Sequence, residues 1–397
     1  MKRFSFLLLA ALMLLFAGCG TTDTPADTPI ENDSQQQEIT PVQDEEKDEP
    51  APQEPEDVIS APILALIDRH SGETKTDNGQ PLCSSVWETI ALAEKSAAEY
   101  PKLAERLREL SAEYDTQGRG FLDDMTPYAQ EHFDSMPDYF WGYTSESCLC
   151  VERADARVFS LRIDANQFTG GAHGNYGSFG VNFDSQTGKV LELADVLTAT
   201  DGLVDLLNDA LLEKYPADAF FAQTPLDGYE DEAYKESAVW TMDHQGVTFY
   251  FSPYEIGPYA AGLFTVSIRF DEKPELFVEK YLPQEQSWVK MLPGRGTAEA
   301  HLDGARTELS VYVSELEGEV SVLFVCGDKQ YTLTECAGKN VKAYLVCSDG
   351  AYFLCVSALQ SGQTNFYTYG LDGTLRTDVD VSGLIGVRCA GHEGDVL

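Results

Sequence analysis

Positive charge is what this sequence most lacks: 27 Lys and Arg stand against 66 Asp and Glu, for a formal net charge of −39. So acidic a surface repels phosphate backbones, which excludes nucleic acid as an expected partner. Histidine is scarce too. His70, His132, His244, His301 and His392 stand singly, and neither a His-Glu-x-x-His motif nor a Cys-x-x-Cys pair occurs, so no metal site is expected. The sequence also lacks a Gly-x-Ser-x-Gly elbow and a phosphate-binding loop; no catalytic residue and no cofactor are expected. Even the apolar run from Phe4 to Phe16 is too short to cross a hydrocarbon core of about 30 Å comfortably.

That run has another meaning. Lys2 and Arg3 precede it and Ala17-Gly18-Cys19-Gly20 follows it, so a basic head and a short apolar core lead to small residues and a cysteine. This is the pattern of a secretory signal whose cysteine makes it a bacterial lipoprotein signal, although Phe16 stands where Leu or a β-branched residue is usual. Residues 1–19 are therefore expected to be the signal peptide with Cys19 as the lipidation site, an anchor that two acyl chains make stable. The expected location is the cell membrane, lipid-anchored and facing the extracytoplasmic side. Loss of Lys2 and Arg3 with the signal takes the charge from −39 to −41. Residues 20–58 follow as a stretch of Pro, Thr, Gln, Asp and Glu that includes Asp44-Glu45-Glu46-Lys47-Asp48-Glu49. With almost nothing to bury, it is expected to be a disordered acidic linker.

From residue 59 apolar residues become abundant. Val86 to Leu92 predicts a strand. Ala97, Tyr100, Leu103, Ala104, Leu107, Leu110 and Tyr114 recur at three and four, which predicts an amphipathic helix with Pro101 in its first turn. Helix is expected again from Phe121 to Met136, after an interruption near Gly118-Arg119-Gly120. Cys148 to Glu152 and Val158 to Ala165 predict a hairpin through Ala154-Asp155-Ala156. Further strands are expected at 178–183, 190–193, 247–251 and 264–268, with a helix around Leu203, Leu206, Leu207, Ala210 and Leu211. Strands with few helices and no regular βαβ alternation predict an α+β fold, an antiparallel sheet with packed helices.

Gly170-Gly171-Ala172-His173-Gly174, Asn182-Phe183-Asp184, Thr187-Gly188-Lys189 and Asp195-Val196-Leu197 are followed by Phe249-Tyr250-Phe251-Ser252-Pro253-Tyr254-Glu255-Ile256-Gly257-Pro258-Tyr259-Ala260-Ala261-Gly262. Together they resemble the extracellular domain of the RsiV family, a domain of unknown function that also occurs beside the catalytic domain of the peptidoglycan deacetylase PdaC. The resemblance covers about Val86 to Leu282, within an expected domain at 59–282. It implies a module that binds lysozyme or cell-wall glycan. Three residues precede the apolar run, which leaves no room for the family's sigma-binding segment, and no deacetylase Asp/His set follows Leu282.

His173 is a candidate ligand-binding residue, since an imidazole in a Gly-rich loop can act as base or ligand. It can equally serve as a hydrogen-bonder in a turn. Tyr254, Glu255 and Tyr259 are the other candidates. A loop framed by Pro253 and Pro258 and carrying two tyrosines and a carboxylate suits a sugar or a basic protein. The same prolines can fix a hairpin turn whose tyrosines pack on the sheet. Acidity favours a basic partner such as a c-type lysozyme.

Residues 283–397 read as short strands and turns. Asp303-Gly304, Asp349-Gly350 and Glu393-Gly394 recur at 46 and 44 residues, the rhythm of a β-propeller blade. An all-β, propeller-like region is expected. The sequence stops within a third repeat, so either it is incomplete or the region is a small two-sheet domain. Eight cysteines besides Cys19 allow 105 pairings, and Cys326 with Cys336 is the bridge to test.

The sequence thus predicts a surface lipoprotein with a ligand-binding module, its partners lysozyme or cell-wall glycan and, through the lipid, the membrane. An accessory part of a peptidoglycan-modifying enzyme and a structural envelope protein are the alternatives.

Overall fold

The computed structural model describes residues 62–294, 297–302, 304–316 and 319–390. The signal segment with Cys19, the acidic linker and the start of the expected third repeat lie outside the described residues. In chain order the first elements are β1 (Ala65–Lys75), β2 (Pro81–Leu92), α1 (Glu94–Glu99), α2 (Pro101–Ser135), β3 (Tyr143–Ala154), β4 (Val158–Phe168) and β5 (Asn175–Asp184). Next come α3 (Leu193–Val196), α4 (Leu203–Lys214), α5 (Asp231–Ser237), β6 (Val239–Met242), β7 (Gly246–Phe251) and β8 (Phe264–Arg269). The remaining strands are β9 (Trp288–Leu292), β10 (Ala298–Leu302), β11 (Ala305–Leu316), β12 (Glu319–Cys326), β13 (Lys329–Leu333), β14 (Lys339–Ser348), β15 (Ala351–Gln360), β16 (Gln363–Gly370) and β17 (Val387–Cys389).

Among the described residues four sheets result: β17-β1-β2-β3-β4-β5, β6-β7-β8, β10-β11-β12-β13 and β16-β15-β14-β9. All neighbours are antiparallel except β1 with β17 and β2 with β3. The expected α+β class is what the chain forms. The β2–β3 pair is parallel because a helical crossover joins them. Among the described residues no helix is long and apolar enough to cross a membrane.

The single helix expected over Ala97 to Tyr114 is divided at Tyr100, which ends α1 and caps α2; α2 has Pro101 in its first turn and buries Leu103, Ala104, Leu107, Tyr114 and Phe121. It then runs unbroken through Gly118-Arg119-Gly120, where the sequence predicts an interruption. The Gly118 position lies against Trp87: a Cβ there would stand 2.3 Å from the indole. The glycine lets helix and strand approach. Where β2 parts from β3, Ser111 on the helix completes the strand's bonding. Its Oγ accepts from Ile90 N–H at 2.8 Å and donates to Ile90 C=O at 2.7 Å, so neither backbone group is left unpaired.

Among the described residues, the region after Leu282 shows no closed ring of propeller blades. It makes two four-stranded sheets that share a core, with Leu309, Val311, Val322 and Phe324 on one and Leu345, Leu354 and Val356 on the other. Alternate residues of β15 face the other way: Phe353 and Cys355 join the core that holds Ile67, Leu107 and Leu161. Residues on both sides of position 282 thus pack in one core. Cys150 donates through Sγ to Met291 C=O at 3.3 Å, Lys342 pairs with buried Glu88 at 2.8 Å, and β17 returns to pair with β1. The expected strand at 190–193 contributes only a bridge between Phe183 and Val190. Cys326 and Cys336 are not bridged. Both are free thiols, Cys326 opposite Lys329 at the β12–β13 turn and Cys336 beyond the end of β13.

Candidate functional site

Two loops meet at one edge of the molecule. The first, 169–174, joins β4 to β5; Gly170 and Gly171 have φ of 96° and 91°, which only glycine adopts readily. The second, 252–263, joins β7 to β8. It is closed by its own hydrogen bonds: Ser252 N–H donates to the Glu255 carboxylate at 2.9 Å, and Tyr254 N–H to Gly257 C=O at 3.0 Å.

The sequence of β5 explains why these loops meet. Gly180 faces the Trp240 backbone so closely that a Cβ would stand 1.9 Å from its carbonyl oxygen, and Gly177 faces Ser252 Oγ in the same way at 2.8 Å. Asn182 Nδ2 donates to Trp240 C=O at 3.0 Å. These three residues of one strand seat the β6–β8 sheet against it.

Three of the four predicted candidates converge. The His173 and Tyr259 rings stack with centroids 3.8 Å apart and an interplanar angle of 22°. Tyr259 Oη donates to Gly174 C=O at 2.8 Å, and Tyr176 meets Tyr259 edge-on at 5.4 Å. His173 Nδ1 lies 2.9 Å from Gly174 C=O and Nε2 lies 3.2 Å from Tyr254 Oη. A carbonyl can only accept, so Nδ1 donates to Gly174; in the neutral ring Nε2 then accepts from the Tyr254 hydroxyl. Tyr254 is half exposed and sits at φ 72°, a backbone state costly for an aromatic residue and common at functional sites.

Glu255 has a different place. Its carboxylate closes the second loop, and desolvation raises its pKa against the opposing Ser252 hydrogen bond. The residue itself is exposed, so solvent limits that effect. It positions the loop that carries the tyrosines.

Beside the first loop lies a feature that is not among the residues singled out from the sequence. Tyr139, Phe140, Trp141, Tyr143 and Phe168 line a groove of about 280 Å³ with the backbone of Gly170 and Gly171. Its signal in the sequence is plain: four aromatics within five residues, Tyr139-Phe140-Trp141-Gly142-Tyr143.

One trio has the spacing of a metal site. Ligand atoms of Asp155, His244 and Glu285 lie within 4.8 Å of one another. Asp155, however, already accepts from the Arg153 guanidinium and from the N–H groups of Arg157 and Val158. A cation there would face the buried Arg153 charge, and Asp155 is already that arginine's ion-pair partner.

Residues 195–271 match the model of the family described as Protein of unknown function (DUF3298). That span holds the second loop and excludes the first. No curated protein matches. Among solved structures, a DUF3298 family member from Bacteroides fragilis is similar with a TM-score of 0.41 and 18% identity, over 56% of this chain and 96% of that one. A DUF3298 family protein from Pseudomonas aeruginosa is similar with a TM-score of 0.36 and 19% identity, over 57% and 98% respectively.

Proposed function

We propose that this chain is an exported lipoprotein, anchored through Cys19, that uses its paired loops to bind cell-wall glycan outside the membrane. The observation that carries the proposal is the convergence of His173, Tyr254 and Tyr259 from two loops onto one exposed aromatic surface. Aromatic faces with polar edges suit sugar rings, which are apolar above and hydroxylated around the rim. The role is binding, and no reaction is assigned to it.

A second reading, a receptor for lysozyme, is favoured by the net charge of −39, which attracts a basic protein. One experiment separates them. The full chain, held in detergent, is incubated with insoluble peptidoglycan and, separately, with immobilised c-type lysozyme, at low and high salt. Glycan binding predicts retention on the wall material that survives salt and falls about tenfold in Tyr259→Ala, which loses the stacked ring. Retention on lysozyme alone makes the second reading correct; no retention on either overturns both.

A further inference from the structure

We propose that the groove beside the first loop is a subsite for one uncharged sugar ring, with Trp141 as its stacking platform; the inference deepens the glycan-binding reading above. The chain has four tryptophans. Trp87 and Trp240 are buried at 3% and 6% exposure and Trp288 is partly buried, whereas Trp141 is 82% exposed. Tyr139, two residues earlier, is 74% exposed. Large aromatic faces kept out of the core next to a concavity mark a binding surface.

The groove wall is held in place before any ligand arrives. His132, at the end of α2, meets the Phe140 ring edge-on at 5.4 Å, and its Nδ1 is 3.3 Å from Tyr143 Oη. Phe133 braces Phe140 from the helix at 5.7 Å. Preorganised walls lower the ordering cost of binding.

Charge selects the ligand. Among the described residues no Asp, Glu, Lys or Arg lines the groove to compensate an ionic group, and the acidic molecule disfavours an anion. The polar groups present are His132, the tyrosine hydroxyls and loop backbone, which exchange hydrogen bonds with neutral hydroxyls. The volume, about 280 Å³, lies just under the roughly 300–1,000 Å³ of drug-sized sites. It fits one ring of a longer chain. Gly170 in the groove and His173 in the paired-loop cluster are three residues apart, at most about 11 Å. One oligosaccharide can touch both.

Tryptophan fluorescence of the full chain, titrated with chitotriose, tests this, because Trp141 is the most exposed indole. A saturable change is expected. Trp141→Ala should abolish it, while Trp141→Phe keeps a ring and should hold the calorimetric affinity within about threefold, and Leu212→Ala on α4 should behave as the parent. Absence of a saturable change, or its persistence in Trp141→Ala, overturns the proposal; so does binding of a tryptophan dipeptide amide where chitotriose fails. Failure on insoluble peptidoglycan with an intact chitotriose titration removes the paired-loop reading and leaves the groove. The reverse result removes the groove alone.

Discussion

Gly180 shows how much of the site depends on a missing atom. The β6–β8 sheet sits against β5 only because no side chain separates position 180 from the Trp240 carbonyl. Gly180→Ala would put a methyl against backbone, which cannot move aside as a flexible side chain can. We expect a loss of about 3 kcal/mol, at the upper end of ordinary overpacking. Urea denaturation measures it; a midpoint equal to the parent's would show that the two sheets do not meet there. The sequence marks the glycines of Asn175-Tyr176-Gly177-Ser178-Phe179-Gly180 as strand residues without indicating what they approach. For the same reason His173 and Tyr254 were legible as candidates from their loops, while their meeting across 81 positions was not.

Among elements, α2 separates two effects of glycine. Ala for Gly in a helix interior gains about 1 kcal/mol from propensity alone. At Gly120 a Cβ has nothing within 4 Å, so Gly120→Ala should raise stability by about that amount. At Gly118 the same methyl meets Trp87 at 2.3 Å. That indole cannot retreat freely, since His70 stacks on it at 5.6 Å and its N–H donates to Asp115 at 3.1 Å. Overpacking of about 1–3 kcal/mol outweighs the propensity gain, so Gly118→Ala should be net destabilising. Thermal melts of the pair decide it: shifts of the same sign would refute this account of why the helix runs through a sequence that reads as a break. β1 escaped the sequence reading for a related reason. Only its first residues, Ala65, Leu66 and Ile67, are apolar, and the rest is polar or charged along a strand whose exposed positions alternate.

Across the whole molecule, the buried contacts of His244 tie three regions together. The residue follows β6, faces Asp155 from the β3–β4 turn at 3.5 Å, and stacks on Trp288 of β9 at 5.6 Å. Burial, with the nearby positive charges of Arg153 and Lys290, lowers its pKa to about 4, against the pull of Asp155 and Asp243. A folded pKa below the unfolded value means that the unfolded chain binds the extra proton first. Stability is then full above about pH 6.5 and falls as the pH drops toward 4, by on the order of 3 kcal/mol. The lowered pKa values of Asp155 and Asp243 add loss at still lower pH. His244→Gln should flatten the slope between pH 6.5 and 4.5; denaturant midpoints for both proteins across that range provide the check. An unchanged parent midpoint between pH 7 and 4.5 would sink the assignment. This junction left no mark in the sequence for the same reason that propeller blades were suggested there: the spacing of turns at 46 and 44 residues records local hairpins, whereas β9 and β17 find partners far away.

The return of β17 to β1 also sets an order of events. Ala65 pairs with Val387, 322 positions later (387 − 65), so the first strand of the six-stranded sheet keeps an open edge until the last is available. The chain is synthesised from its N-terminal end, so that edge stays open until residue 387 has been made. Contacts so distant in sequence make assembly slow, and an unpaired edge invites pairing with other chains in the meantime. A truncation before residue 387 would make that temporary edge permanent.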